Sequence, residues 1–336
     1  MNWLALDIGG ANLKSADGNG YTRSKRFALW QHPDRLVDEL ADLLDAAPER
    51  SRLAVTMTGE LADCFASKTV GVQFILDAVT RAARNCPVRV YLTDGRLVSV
   101  ARALEQPLAA AASNWYALAS FAARFAPEGP ALLLDIGSTT CDVIPLVDGR
   151  VTAMGQNDTQ RLICGELVYT GIERSPVCAV AAGVPYRGST CPTAQEHFAT
   201  MRDVYLVLGD LVEDPTCCET ADGQPATREA ACRRLARVIC ADVMQFDFQD
   251  AITVSEAVAT AQADLIAGAV RAVVAQMPCP PRTWVVSGHG DFLARRIAAG
   301  IGFCDAVFLT DVLGPGISRA ATAHALAVLA RQRSDP

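Results

Sequence analysis

One pattern occurs twice in this chain and restricts its fold more than any other feature. Leu4-Ala5-Leu6-Asp7-Ile8-Gly9-Gly10-Ala11-Asn12-Leu13-Lys14 is echoed by Leu132-Leu133-Leu134-Asp135-Ile136-Gly137-Ser138-Thr139-Thr140-Cys141-Asp142-Val143-Ile144-Pro145. In each copy an apolar strand runs into Asp-Ile-Gly, crosses a short polar turn and returns as a second strand. The two aspartates lie 128 residues apart (135 − 7), a domain-sized offset. A chain of 336 residues is long enough to close two cores. It therefore reads as two related halves, 1–127 and 128–336, divided at the stretch Ala126-Pro127-Glu128-Gly129-Pro130.

Between the repeats, strand and helix patterns alternate. The first half reads as a hairpin over about 3–16, a third strand near Tyr21–Leu29 and a helix from about Pro33 to Ala47. A strand Leu53–Met57, a helix from about Gly71 to Arg84, a strand Val88–Leu92 and an Ala-rich helix ending near Phe125 follow. The second half opens with a hairpin over about 131–146 and a strand Arg150–Met154, then becomes a mostly helical insertion at about 158–277 with a polar loop at 213–228. It closes with a strand Thr283–Ser287, a helix Phe292–Ala299, a strand Ala306–Leu309 and a helix Ile317–Arg331, a candidate to pack back on the first half. Hairpins leading an alternating chain imply an α/β fold with mixed sheets flanked by helices and a ligand cleft between the halves.

Composition narrows the function classes. Hydrophobic residues make up 51% and charged residues 20%, which excludes a disordered chain. No apolar run approaches the ~18–20 residues of a membrane span. The opening Met1-Asn2-Trp3-Leu4-Ala5-Leu6-Asp7 lacks a basic segment, so a cytoplasmic location is expected. Net charge is −7 with no basic stripe, which argues against nucleic acid as a partner. The 12 cysteines run from Cys64 to Cys304 without a Cys-x-x-Cys pair, so most are expected to be buried small hydrophobes. A homodimer bringing equivalent cysteines together is the remaining route to a metal–thiolate centre. Among 30 basic residues only Lys14, Lys25 and Lys68 are lysines, and Lys14 falls within the first repeat.

A strand ending in Asp before glycines places a carboxylate and backbone N–H groups at one tight turn. Gly9, Gly10 and Asn12 in the first copy, and Gly137, Ser138, Thr139 and Thr140 in the second, can form anion-binding concavities, with Lys14 neutralising a phosphate oxygen. Asp7 and Asp135 can hold Mg²⁺. Facing each other, the two turns would grip a polyphosphate from both sides; the alternative is a pair of purely structural hairpins.

Ser287-Gly288-His289-Gly290-Asp291 is a further strand, turn and helix start, in which Gly288 and Gly290 offer a floor to an anion or flat ring. His289 is there a substrate-side acid or base, or a local hydrogen-bonding group. Leu313-Gly314-Pro315-Gly316-Ile317 lines the same cleft or simply starts a helix. Thr58, Gly59, Glu60 and Asp63 follow a buried strand, at the end where α/β sheets carry sites, or else start a helix with dipole-complementing acids. Cys64 beside Phe65 reads as core. His197 and Asp203 line a substrate pocket or belong to an exposed helical face, and 242–250 reads as an acidic solvated surface.

Together these motifs resemble a known group. Asp7-x-Gly9 with Lys14, Asp135-x-Gly137-Ser138-Thr139-Thr140 and Ser287-Gly288-His289-Gly290 resemble the two phosphate motifs and the adenosine motif of the actin/sugar kinase/Hsp70 superfamily. Thr56-Met57-Thr58-Gly59-Glu60-Leu61-Ala62-Asp63-Cys64-Phe65, with His197-Phe198-Ala199-Thr200 through Asp203-Val204-Tyr205, is similar to its hydantoinase/oxoprolinase-related branch found with tetrahydromethanopterin-linked C1 transfer genes. The similarity covers nearly the whole chain. It implies two actin-like (ribonuclease H-like) domains and a transferase of methanofuran biosynthesis. That enzyme would join a furan-methyl diphosphate to the phenol of a glutamyl-tyramine or tyrosine analogue, forming an aryl ether and releasing diphosphate.

A phenol has a pKa of about 10, so the resemblance implies a base, Glu60 or Asp63, with Lys14 and the Ser138, Thr139 and Thr140 hydroxyls on the phosphates. Asp7 and Asp135 would place Mg²⁺, ATP would not be required, and the partners would be small molecules, not nucleic acid or membrane. Two alternatives use the same loops: an ATP-dependent small-molecule kinase or ring-opening hydrolase, and a non-catalytic nucleotide-binding module. The first lacks an identifiable counterpart of the kinases' catalytic Asp, and the second would carry a partner-binding domain for which the chain is short.

Overall fold

The computed structural model describes residues 2–302 and 305–333; Met1 and Cys304 lie outside them. Both copies of the repeat form antiparallel hairpins. Strand β1 (Trp3–Ile8) pairs with β2 (Asn12–Ala16), setting Asp7 opposite Lys14. In the first sheet, β2 also pairs with β3 (Thr22–Arg26), while β1 runs parallel to β4 (Arg52–Met57) and β4 parallel to β5 (Val88–Tyr91). A short β6 (Leu97–Ser99), absent from the sequence expectation, adds an antiparallel edge.

The second sheet repeats that order. Strand β7 (Pro130–Ile136) pairs with β8 (Cys141–Val147), setting Asp135 opposite Asp142, and β9 (Arg150–Val151) pairs with β8. The edge of β8 away from β7, which β9 borders at one end, takes β10 (Leu167–Val168) at the other, and β7 runs parallel to β13 (Thr283–Gly288), which runs parallel to β14 (Asp305–Phe308). Apart from the short strands β6 and β9, both sheets therefore place the first strand centrally, with a succession of two antiparallel pairings on one side and two parallel pairings on the other. This is an α/β fold of two ribonuclease H-like, actin-type sheets.

Central strands are buried on both faces, and their period of two divides the burial. Leu4, Leu6 and Ile8 face helices Leu36–Asp45 and Lys68–Ala83, packing with Leu40, Val72 and Leu76. Leu132, Leu134 and Ile136 face helices Met201–Leu208, Phe248–Gln276 and Asp291–Ile301 through Val204, Val258 and Ile297. The alternate residues point into the space between the sheets, filled by helices Asn114–Ala122 and Ala321–Gln332. Leu118 and Ala119 meet Ala131, Leu133 and Val285, while Leu326, Ala327 and Ala330 of the last helix meet Trp3, Ala5 and Ala54. Alanine dominates here because small side chains let helices lie close to both sheets.

Several elements differ from expectation. The Ala-rich segment is broken into Val100–Leu104, Pro107–Ala110 and Asn114–Ala122, because Pro107 starts a new turn and Ala112 turns the chain with φ 47°. The 158–277 region is less helical than its composition suggests: it carries β10 and a hairpin, β11 (Gly183–Tyr186) with β12 (Ser189–Pro192). Its helix Phe248–Gln276 is long and apolar enough, by length and composition, to cross a membrane. Its stripe of Ala251, Val254, Val258, Ile266 and Val270 nonetheless packs in the second core. Asp247 and Asp250, read as solvated surface, form the capping box of that helix. Of the described cysteines only Cys141 and Cys217 are buried, and Cys64, Cys218, Cys240 and Cys279 are exposed, so packing explains few of them and Cys64 is not core.

Candidate active site between the two sheets

The two Asp-Ile-Gly turns are closed identically: Gly9 N–H donates to Asn12 O and Gly137 N–H to Thr140 O, each at 2.9 Å. Both lie at the same end of a central strand, and both border one cavity of about 520 Å³. Its walls include Asp7, Gly9, Gly10, Asn12, Lys14, Thr58 and Asp63 from the first half and Asp135, Gly137, Ser138, Thr139 and Thr140 from the second. The structure thus brings together the residues expected at both phosphate turns, and Asp63 with them.

Each turn is held from behind by a segment that occupies its carbonyls. Phe27 N–H donates to Ala11 O (3.0 Å) and Leu29 N–H to Gly10 O (2.9 Å). In the second half Ile172 N–H reaches Gly137 O (3.1 Å), and the Glu173 and Arg174 amides both reach Ser138 O (3.0 Å). Gly171 makes that approach possible, since a Cβ there would fall 2.5 Å from Ser138 C and Thr139 N. With the carbonyls engaged, the amides of Gly10, Ala11, Ser138 and Thr139 have no partner among the described residues. This is the donor arrangement an anion needs.

The carboxylates beneath these amides carry more negative charge than their neighbours balance. Asp7 is 5% exposed, its Oδ1 has no hydrogen-bond partner, and Lys14 Nζ lies 4.0 Å from its Oδ2. Burial raises the Asp7 pKa, and Lys14 offsets part of the rise. Asp135 is pushed up to about 6 by burial and by Asp142, against easing by the Ser287 hydroxyl, Lys14 and His289. Asp142 is raised by burial and relieved by Arg161, which pairs with it, lies 3.5 Å from Asp158 and stacks over Trp115 at 4.3 Å. That leaves Asp7 and Asp135 sharing one lysine, and a divalent cation between them would favour their ionised forms.

Other expected site residues fall elsewhere. Glu60 is 1% exposed and lies behind the cavity wall, with neither oxygen hydrogen-bonded. Burial pushes it up to about 7, with backbone dipoles and Lys68 opposing and Asp158 adding to the rise. Gly59 is buried beside it. The nearby Lys68–Asp158 pair, at 2.8 Å, joins the two halves.

Gly288 and Gly290 do not form a phosphate floor. Gly288 has φ +92° and sits where a Cβ would be 2.1 Å from Ile136 O, and the His289 and Gly290 amides both donate to that oxygen at 3.2 Å. His289 Nε2 lies 3.4 Å from Glu173 Oε1, and Glu173 also pairs with Arg202. Burial would raise Glu173, but His289 and Arg202 outweigh it and hold the carboxyl down to about 2. Asp203 is no substrate ligand either: it is fully buried, accepting from Arg234 Nε (2.8 Å) and Thr200 N–H (2.9 Å). His197 is exposed in the turn before the Met201–Leu208 helix, away from the cavity walls. The 313–317 stretch also stays outside them, its Gly316 carbonyl accepting from Thr22.

Sequence reasoning missed Trp30, Tyr169, Arg174, Asp158 and Arg161, which also line the cavity. The one readable trace was Tyr169-Thr170-Gly171, a glycine in a polar turn.

The chain is similar to known proteins in sequence and in fold. A curated protein of Methanocaldococcus jannaschii, (4-{4-[2-(gamma-L-glutamylamino)ethyl]phenoxymethyl}furan-2-yl)methanamine synthase, is 38% identical over 242 residues, 71% of this chain and 72% of that protein. A Methanococcus vannielii protein of the same name is 34% identical over 124 residues, and the match spans 37% of this chain and about half of that protein (55%). Among solved structures, nucleotide-free acetone carboxylase matches with a TM-score of 0.50 at 14% identity, over 94% of this chain and 51% of that one, a likeness of fold. Residues 52–333 match the hydantoinase/oxoprolinase family, and the chain belongs to it.

Proposed function

We propose that this chain is a transferase of methanofuran biosynthesis. It would condense (5-aminomethyl-furan-3-yl)methyl diphosphate with the phenol of a glutamyl-tyramine. The observation that carries the reading is one cavity bounded by both anion-binding turns, in a chain 38% identical to a curated synthase of such an ether.

In this reaction the phenol oxygen forms the new bond to the furan CH₂, whose bond to phosphate oxygen breaks. Diphosphate leaves with the electron pair, and the phenol proton passes to a carboxylate. The open amides of Gly10, Ala11, Ser138 and Thr139, with the Ser138, Thr139 and Thr140 hydroxyls, receive the diphosphate oxygens, and Lys14 balances their charge. Asp63, exposed at the cavity wall, takes the proton. Glu60 supports that wall from behind. Asp7 and Asp135 would hold Mg²⁺, whose contribution is to neutralise charge on the departing diphosphate. Substrates so strongly charged do not cross membranes unaided, which supports a cytoplasmic location.

The test is to incubate the purified chain and Mg²⁺ with both substrates and follow diphosphate release and the ether by mass, without ATP. Ether formation is the expected result. Its absence, or release that depends on ATP, overturns the reading.

A further inference from the structure

Two side chains lining the cavity, one from each half, meet each other. The Arg174 guanidinium carbon lies 4.5 Å from the centre of the Trp30 ring. Their backbones are fixed to different turns. Trp30 follows Leu29, whose N–H donates to Gly10 O (2.9 Å), and Arg174 N–H donates to Ser138 O (3.0 Å). The stacked pair therefore spans from one phosphate turn to the other.

The other two cations lining the cavity each have a carboxylate within 4.0 Å. Lys14 faces Asp7, and Arg161 pairs with Asp142 and lies 3.5 Å from Asp158. Arg174 has an indole beneath it and no carboxylate partner among the described residues, although it is exposed and lines the cavity. Stacking fixes the plane of the guanidinium while its N–H edges stay free, the arrangement that suits two oxygens of a phosphate.

We propose that Arg174, held on Trp30, is a catalytic residue that grips the diphosphate of the donor substrate between the two turns and stabilises its departure. The inference rests on the transferase reading for the identity of the donor, and on the cavity itself for the class of anion. A carboxylate on the phenolic acceptor is the competing anion. The anchoring of both residues to the phosphate turns favours the diphosphate.

The experiment compares the full chain with Arg174→Gln, Arg174→Lys and Trp30→Leu. Calorimetric titration with inorganic diphosphate and Mg²⁺ is combined with steady-state kinetics in both substrates. Arg174→Gln is expected to weaken diphosphate binding about 10- to 100-fold and to lower kcat, with the acceptor KM within about twofold. Arg174→Lys should recover only part of this, because it keeps the charge and loses the fork. Trp30→Leu should cost about two- to fivefold, the worth of an exposed cation–π contact. Wild-type diphosphate affinity in Arg174→Gln, or a rise in acceptor KM alone, overturns the inference and leaves the transferase reading standing. Failure of the wild-type chain to bind diphosphate overturns both.

Discussion

Lys14 is the cation nearest two carboxylates that burial already makes reluctant to ionise, Asp7 and Asp135. Replacing it with Met removes a phosphate ligand and also the charge that lowers both aspartate pKa values. Lys14→Met is therefore expected to weaken diphosphate binding about tenfold or more and to move the acidic limb of the kcat/KM profile to higher pH. An unmoved limb would separate Lys14 from the aspartates. Asp63→Asn, which removes the proton acceptor on the wall, should lower kcat by about 10²–10⁴ with little change in diphosphate affinity. Glu60 calls for a different measurement. Its folded pKa of about 7 lies above the ordinary 4.5, so as pH rises through that window the unfolded chain releases the proton first and the folded state loses stability. The full loss is about 3 kcal/mol. Glu60→Gln does not titrate, so in urea unfolding its stability relative to wild type should be higher at pH 8 than at pH 5. An equal difference at both pH values would show that Lys68, despite the opposing charge of Asp158, already compensates that of Glu60.

At the scale of elements, the second phosphate turn depends on the 171–174 segment behind it. A methyl group at Gly171 would meet backbone atoms of Ser138 and Thr139, so either the segment or the turn must move. Gly171→Ala is expected to cost about 1–3 kcal/mol and to weaken diphosphate binding more than acceptor binding. Gly300, inside the Asp291–Ile301 helix with nothing near its missing Cβ, is the control: Gly300→Ala should stabilise by about 0.5–1 kcal/mol without touching the cavity. Thermal melts and diphosphate titration distinguish the two. The sequence shows the turn but not this support, and the reason is physical. A hairpin announces itself through alternation and a glycine turn within a dozen residues, whereas the bond from Arg174 to Ser138 joins positions 36 apart (174 − 138) with no periodicity. β10, two residues long, is too short to show any alternation. The same ambiguity misplaces Gly288 and Gly290: glycines that let a backbone approach a phosphate look identical in sequence to glycines that let it approach Ile136.

Across the whole molecule, the repeat predicts two halves, but the halves exchange their inner helices. Asn114–Ala122 precedes the second sheet in sequence and packs on it, while Ala321–Gln332 follows it and covers the inner face of the first through Leu326, Ala327 and Ala330. An alanine-rich helix carries no signal of which sheet it will meet, so this exchange was only partly legible. Its consequence is that neither half buries its central strands alone. Leu326 is fully buried among Trp3, Ala5 and Ala54, and Leu326→Ala should cost about 2–5 kcal/mol, as a cavity in a well-packed layer does. Because the layer is shared, that loss should appear as one displaced transition. Tryptophan fluorescence from Trp3, Trp115 and Trp284, distributed over both halves and the layer between them, should shift together with far-ultraviolet circular dichroism. Two separated transitions, with only the one reporting the first half displaced, would show that the halves fold independently and that the last helix merely rests on the first sheet. A single transition would instead mean that the geometry of the cavity, whose two turns grow from the central strands of different sheets, is maintained by the cooperativity of this shared layer.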